Sequence, residues 1–304
     1  MGQKDKVTKT LESYNSVFAD IVNGFLFNGK KVVSEKDLMP ADKESRFKAD
    51  GIIRSQERDV SKYWMDTNIK IAFIGCENQS GTDKYMPLRI IGYDGAVYKR
   101  QYDELKEITA DKRRCYPVIT LVVYFGRDDW NCGRDLLSCL DIPEAIKPFV
   151  SDYKMNFYSM KDMTKEKIEQ FDSDFKAIAE FFYALNTGTE YHPSDTRLDH
   201  PEEVLDMIDV FAEDDRFRNE YNTLIKEKKE GGISMCEIYD KIIMEGMEKG
   251  MEKGMEKGME KGKIEGMIQT LSDLVRKGLI TLQQASEQAG MTVPEFRSKA
   301  GIPT

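Results

Sequence analysis

The chain has few of the residues from which zinc sites and histidine-dependent active sites are built. It contains two histidines, His192 and His200, and both lie beside prolines in polar segments, which predicts surface positions. Its five cysteines are an odd number, and no two of them have the spacing of a metal-binding pair. They are Cys76, Cys115, Cys132, Cys139 and Cys236. This pattern argues against zinc and against a histidine-dependent nucleophile, and it predicts reduced thiols.

Long apolar runs are also missing. No stretch approaches the roughly 20 residues that a helix needs to cross a bilayer, and the charged N-terminal residues are not followed by an apolar signal segment. We therefore expect a cytoplasmic protein without a membrane partner. Charged residues make up 33% of the sequence and the net charge is -9. This negative charge argues against non-specific binding of nucleic acid over the whole protein surface. A local basic groove remains compatible with that charge.

A run of β-branched and apolar residues at positions 68–75 predicts a buried strand, and polar residues follow it directly. Side chains alternate between the two faces of a strand, so Glu77 and Gln79 should point the same way. If Asp59 lies on or beside a neighbouring strand, two carboxylates and an amide converge on one point. Such a set suits a hard divalent cation that keeps positions open for water and phosphate. The alternative is that Glu77 lies at the rim of the sheet and Asp59 caps a helix or turn.

The rest of the N-terminal pattern predicts an α/β core. Residues 116–126 are apolar almost throughout, as in a central strand that is covered on both faces. A helix predicted at 86–98, continuing to 105, precedes them, and a strand–helix–strand order favours parallel strands. Arg89 and Tyr93 should share one face of that helix. Helices are also predicted at residues 10–28, 165–187 and 201–228, and a strand of a meander at 46–53.

The C-terminal part contains a short repeat. Residues 247–262 read Met-Glu-Lys-Gly four times. Each glycine costs about 1 kcal/mol relative to alanine inside a helix. The repeat is therefore either a helix that associates through its glycine stripe or a flexible charged spacer, and the sequence favours the spacer. Residues 264–277 predict an amphipathic helix that ends at Gly278, and residues 281–297 predict two short helices. These resemble a helix-turn-helix but carry few cations, which favours a packing or oligomerisation module.

Several segments occur in an order that is more specific than any one of them. They are residues 17–23, 58–64, 75–80, 86–89 and 92–94, the Glu-Lys-Gly repeat, and residues 274–281. Together they resemble the recombination-promoting nuclease/putative transposase (Rpn) family, from about residue 10 to the C-terminus. The resemblance implies a PD-(D/E)XK restriction-endonuclease-like α/β fold, a mixed sheet flanked by helices with a C-terminal helical appendage. The implied domains are a nuclease-like domain at 1–228, a repeat helix or linker at 229–266 and a small helical module at 267–304.

The same resemblance implies a Mg²⁺-dependent endonuclease, with Mn²⁺ as a substitute, that hydrolyses DNA phosphodiesters in recombination or in the movement of mobile elements. By position in the family motif, Asp59 and Glu77 match the metal-binding acids. Gln79 occupies the catalytic position at which the motif has lysine. Asp20 lies in the helix where some relatives supply another acid, and Arg89 is a further supporting candidate.

The departure at position 79 leaves a second function open. A glutamine orients water through hydrogen bonds but brings no charge, and charged donors contribute roughly twice as much as neutral ones. Arg89, Lys70 and Lys84 are the candidates to replace the missing cation. The alternative is a catalytically weak or inactive relative that binds DNA or protein partners and forms homo-oligomers through its C-terminal helices. A small-molecule α/β enzyme is disfavoured because the sequence has no Gly-rich phosphate loop.

Overall fold

The structure, a computed structural model, describes residues 2–41, 44–49, 52–106, 114–227 and 234–302. The chain divides into two compact units, Met1–Asp240 and Lys241–Thr304. Among the described residues, no helix combines the length and the apolar character that crossing a bilayer requires.

The N-terminal unit alternates helices and strands. In chain order the elements are α1 (Gln3–Glu12), α2 (Asn15–Phe27), β1 (Leu38–Pro40), β2 (Glu44–Ala49), β3 (Ile52–Glu57), β4 (Val60–Asp66), β5 (Ile69–Gln79), α3 (Met86–Lys106), β6 (Val118–Tyr124), β7 (Asn156–Ser159), α4 (Lys165–Ile168), α5 (Phe175–Thr187), α6 (Pro201–Ala212) and α7 (Arg216–Glu227). Helix α8 (Met235–Arg276) runs across the boundary between the units, and α9 (Leu282–Gln288) and α10 (Val293–Lys299) follow it.

A five-stranded mixed sheet forms the centre of the N-terminal unit, in the order β1-β4-β5-β6-β7. Strands β1, β4 and β5 are antiparallel neighbours, whereas β5, β6 and β7 run parallel. Helix α3 makes the crossover that a parallel pair requires, so the predicted strand–helix–strand unit is confirmed. Strand β6 is deeply buried, with Leu121, Val122 and Val123 all 0% exposed.

The helix predicted at 10–28 is confirmed at residues 10–12 and 15–27, but the chain bends between these segments at Tyr14. This residue is extended, with φ −69° and ψ 135°, and it separates α1 from α2. Its ring stacks on His200 with centroids 3.5 Å apart, and its hydroxyl donates to Glu203 Oε1 at 2.6 Å. These contacts attach the bend to α6 and its N-cap, and they leave the His200 side chain only 21% exposed. His200, predicted to lie at the surface, is therefore half-buried rather than fully exposed, while His192 is exposed as predicted.

Three other segments that were each predicted as one helix or strand are divided into two elements in the structure. The single strand at 46–53 is the antiparallel hairpin of β2 and β3. The helix at 165–187 is interrupted between α4 and α5, where the chain turns so that the N–H groups of residues 172 and 173 reach the carboxylate of Asp20. The helix at 201–228 breaks at Glu213, whose φ of 58° is left-handed.

In the C-terminal unit the Met-Glu-Lys-Gly repeat is helical. It lies inside the 42-residue helix α8, so the favoured interpretation as a flexible spacer is wrong. A Cβ added at any glycine of the repeat would meet no atom within 4 Å, so no close packing accounts for these glycines within the described part of the chain. Gly278, with φ +73°, follows the helix as predicted. The two short helices then pack on α8 through a small apolar core of Ile268, Leu271, Ala285, Ala289 and Phe296.

Candidate functional site

The β4–β5 hairpin brings the two predicted acids together. Val60 pairs with Cys76 in the antiparallel register, so Asp59, which directly precedes β4, lies opposite Glu77 on the same face. Asp59 Oδ2 accepts a hydrogen bond from the backbone N–H of Asn78 at 2.6 Å. Both acids are buried, Asp59 being 7% exposed and Glu77 2%.

Gln79 and Arg89 contact the same carboxylate. Gln79 Nε2 donates to Glu77 Oε1 at 3.4 Å, in agreement with the predicted common face of β5. Arg89, on α3, donates from Nη2 to Glu77 Oε1 at 2.5 Å and to Tyr93 Oη at 3.1 Å. Its Nη1 donates to Asp83 Oδ2 at 3.2 Å. Because its side chain is 39% exposed, Arg89 forms a solvent-facing edge of the site.

Asp20 has other partners. Its Oδ2 accepts hydrogen bonds from the N–H groups of Asp172 and Ser173, both at 2.9 Å, and from Ser173 Oγ at 2.8 Å. Its Oδ1 accepts from Lys31 Nζ at 2.9 Å. None of these partners contacts Asp59 or Glu77 in the described part of the chain. The contacts of Asp20 instead fix the turn between α4 and α5 to α2.

Two site residues on α1 were missed from the sequence. Lys9 Nζ lies 2.8 Å from Asp59 Oδ1 and 3.1 Å from Asp5 Oδ1. Glu12, which is 1% exposed, accepts a hydrogen bond on Oε2 from Asn78 Nδ2 at 2.7 Å. Asp5, Lys9 and Glu12 have the four- and three-residue spacing of one helix face. That spacing could have indicated that the three side chains share a face. It was not recognised because the helix was predicted to begin at residue 10, which leaves Asp5 and Lys9 outside it.

Burial opposes ionisation of the acids. For Glu77, burial and then the charge of Asp59 raise the pKa to about 8, although the positive charges of Arg89, Lys9 and Arg58 act in the opposite direction. Burial also raises the pKa of Asp59, against the effect of its hydrogen bond from Lys9. For Glu12, burial raises the pKa to about 8, with the Asn78 hydrogen bond opposing it. A cation that binds between these carboxylates would therefore stabilise their ionised forms.

Beside the acids lies a hydrogen-bonded network centred on Arg58, in which Arg58, Asp94 and Thr120 are each 2% exposed. Arg58 Nη2 and Thr120 Oγ1 both donate to Asp94 Oδ1 at 2.6 Å. The hydroxyl of Tyr153 donates to the other oxygen of the same carboxylate. A Cβ at Gly75 would lie 2.7 Å from Arg58 Cδ, so glycine is required there to admit the arginine. Because Arg58 directly precedes Asp59, this network fixes the backbone from which the Asp59 side chain projects.

The donor set fits a hard divalent cation that is mostly solvated. Glu77 Oε2 is buried and has no hydrogen-bond partner among the described residues. Those residues contain no group of three or more His, Cys, Asp or Glu side chains with the spacing of a complete metal site. Mg²⁺ does not require one, because it commonly binds through one or two carboxylates and keeps several waters or phosphate oxygens. Asp59 and Glu77 are such a pair.

Comparison with known proteins gives a family match. Residues 44–183 match the model of a family described as "Putative transposase, YhgA-like". No curated protein and no solved structure matches the chain. The matched segment contains Asp59, Glu77, Gln79 and Arg89, and it leaves α1 outside.

Proposed function

The chain belongs to the YhgA-like putative transposases, the Rpn/YhgA family, and from this membership we propose that it is a metal-dependent DNA endonuclease with a PD-(D/E)XK-like fold. The observation that carries the proposal is the convergence of Asp59, Glu77 and Gln79 at the end of the β4–β5 hairpin. The buried Glu77 Oε2, which has no hydrogen-bond partner among the described residues, supports a cation there. The mixed sheet flanked by helices is compatible with the nuclease fold.

In this proposal Asp59 and Glu77 hold Mg²⁺, for which Mn²⁺ is a substitute. When bound, the cation would supply Lewis-acid polarisation of the phosphate and would make the attacking water more acidic. The hydrogen bond from the Asn78 N–H fixes one oxygen of Asp59, and the Arg58 network fixes its backbone. Asp59 is thus oriented before substrate binds, which reduces the reorganisation needed during the reaction.

The reaction is hydrolysis of a phosphodiester. The oxygen of a water forms a bond to phosphorus, the P–O bond on the opposite side breaks, the water releases a proton to solvent and the leaving oxygen takes one up. The Gln79 amide both donates and accepts hydrogen bonds, so it can orient that water. Arg89 is partly exposed beside Glu77 and can donate to a non-bridging phosphate oxygen.

The test is nicking of supercoiled plasmid with Mg²⁺, Mn²⁺ or EDTA. We expect nicking by the unaltered protein in either metal, and at least about a 100-fold loss in Asp59→Asn and in Glu77→Gln. Asp66→Asn, an exposed acid at the other end of the same hairpin, is the matched control and should keep full activity. Circular dichroism checks that each variant is folded. Nicking that survives both substitutions, or no metal-dependent nicking by the unaltered protein, would refute the proposal.

A second candidate function is self-association through α8 by a protein of low catalytic activity. Met247, Met251, Met255 and Met259 are 57–73% exposed, which leaves apolar side chains at regular intervals along a long helix. Substituting all four by glutamine in the full chain should dissociate an oligomer, measured by light scattering. Glu→Gln at the four glutamates that follow them is the control. A monomeric unaltered protein, or an oligomer that the methionine variant leaves intact, would contradict this candidate.

A further inference from the structure

The candidate site has a neutral residue where the proposed reaction needs a positive charge. Gln79 contacts Glu77 through its amide and carries no charge. Two lysines that the sequence suggested as replacements point elsewhere. Lys70 Nζ lies over the ring of Tyr63, 4.0 Å from its centroid, and Lys84 Nζ lies 4.7 Å from the centroid of Tyr85.

A different lysine reaches the acids. Lys9 Nζ lies 2.8 Å from Asp59 Oδ1, and the Lys9 side chain is only 16% exposed. Its charge also acts on Glu77, whose pKa it lowers after the larger effects of burial, Asp59 and Arg89. Arg89, from α3, is bonded to Glu77 instead. Each acid of the pair therefore has its own cation, one from a helix before the hairpin and one from a helix after it.

The position of Lys9 is set by the fold rather than by a chance surface encounter. Helix α1 packs against α6, and Lys4 Nζ lies 5.2 Å from the centroid of the Phe211 ring. Two residues beyond α1, Tyr14 anchors the chain to Glu203 and His200. On the same helix Glu12 holds the side chain of Asn78. The helix that carries Lys9 is therefore attached both to α6 and to the strand that bears Glu77.

We propose that Lys9 supplies the positive charge that position 79 lacks, holding Asp59 and balancing the charge that builds up on the phosphate while water attacks. The inference rests on the proposed nuclease function. A lysine suits the task because its ammonium is a compact point charge on a flexible stem with three donors. One N–H can stay on Asp59 while another turns to a phosphate oxygen.

The experiment measures nicking rates of the full chain with Mg²⁺ for Lys9→Gln, Lys9→Arg and the double variant Lys9→Gln/Gln79→Lys. Lys9→Gln keeps a donor beside Asp59 and removes only the charge, so we expect a loss of about 100-fold. Lys9→Arg should restore part of the rate. The double variant, which moves the cation to the strand, should recover to within about tenfold of the unaltered protein. Lys6→Met, an exposed lysine of the same helix, is the control.

The outcomes separate this inference from the proposed function. If the unaltered protein nicks DNA and Lys9→Gln nicks it as fast or faster, Lys9 merely occupies the space beside Asp59, and the inference is overturned while the nuclease function stands. A Lys9→Gln loss that the double variant does not recover also overturns it, because charge was not the missing property. If the unaltered protein shows no metal-dependent nicking, both fail. Circular dichroism of each variant, with Lys9→Met as a second neutral substitution, excludes misfolding as the cause.

Discussion

Replacing Glu12 by glutamine should stabilise the N-terminal unit at neutral pH. Glu12 is 1% exposed, and burial raises the pKa of its carboxyl from an ordinary 4.5 to about 8 in the folded protein. Glutamine has nearly the same shape and is neutral at every pH, and its carbonyl oxygen can accept the hydrogen bond that Asn78 now donates. The substitution therefore removes the penalty of burying a group that would otherwise ionise.

The size of the effect follows from the difference between the two pKa values. Below pH 4.5 the folded and unfolded states both hold the proton, and Glu12 contributes no pH dependence. Between pH 4.5 and about 8 the unfolded state releases the proton and the folded state keeps it, so stability falls by up to about 1.4 kcal/mol for each pH unit. At about pH 7.5 the upper bound is about 4 kcal/mol. We expect a net gain of about 2 kcal/mol, because the glutamine N–H₂ replaces Glu12 Oε1, which has no hydrogen-bond partner among the described residues, and burying that donor offsets part of the gain.

The assay is urea unfolding at about pH 5 and about pH 7.5, followed by tryptophan fluorescence. Both tryptophans, Trp64 and Trp130, lie in the N-terminal unit, so the signal reports on that unit. Glu12→Gln should gain stability over the unaltered protein at the higher pH and little at the lower one. The matched control is Glu104→Gln, an exposed glutamate of α3, which should change neither value. Equal or lower stability of Glu12→Gln at the higher pH would refute the reasoning.

Three further substitutions test the packing. Asp20→Ala should lower the free energy of unfolding by about 3 kcal/mol or more, because it removes a charged acceptor from two backbone N–H groups and Ser173 Oγ. A loss of nicking by fully folded Asp20→Ala would instead show a catalytic role. Gly24→Ala should cost about 1–3 kcal/mol in urea unfolding, since its Cβ would lie 2.2 Å from Phe171 Cε1, and the additional change Phe171→Leu should recover part of that loss. Phe296→Ala should destabilise the core of the C-terminal unit by about 3–5 kcal/mol, seen as faster amide hydrogen exchange in α9 and α10, and unchanged exchange would contradict the packing.

The elements that local pattern determines were predictable. The apolar run at 68–75 gave β5, and the parallel pairing of β5 with β6 followed from the helix between them. Asp59 and Glu77 could be related because a single hairpin joins them. Its turn is tight enough to place Thr67 at φ 55°.

The contacts across long stretches of chain were not predictable. Lys9 meets Asp59, and Glu12 meets Asn78, through the docking of α1, and no local pattern records which strand a distant helix will cover. The break at Glu213 was missed for a similar reason. Apolar periodicity continues through it, and the left-handed residue that ends α6 is a glutamate rather than the glycine that usually marks such a helix end.

The helical state of the Met-Glu-Lys-Gly repeat was not predicted by local helix propensity. The glycine penalty favoured a flexible spacer, yet α8 is continuous. Ion pairs between residues four apart offer one source of stabilisation, as between Lys249 Nζ and Glu245 Oε2 at 2.9 Å. Such exposed pairs contribute a few tenths of a kcal/mol each, less than one glycine costs. The structure shows the helix; these pairs alone do not account for it.

The anchoring of α1 by α6 has a consequence for the order in which the site is made on the ribosome. Helix α1 leaves the ribosome before the strands of the sheet, but the residues that hold it, His200, Glu203 and Phe211, are nearly 200 positions downstream. At about 5–20 residues per second, synthesis continues for roughly 7 to 27 seconds after Glu77 before α6 is complete. During that interval the acidic hairpin can form locally, while α1 lacks the α6 surface on which it packs. The nascent chain therefore completes its site in two stages, and a chain that lacks α6 keeps the acidic hairpin but not the packing that holds the helix of Lys9 in place.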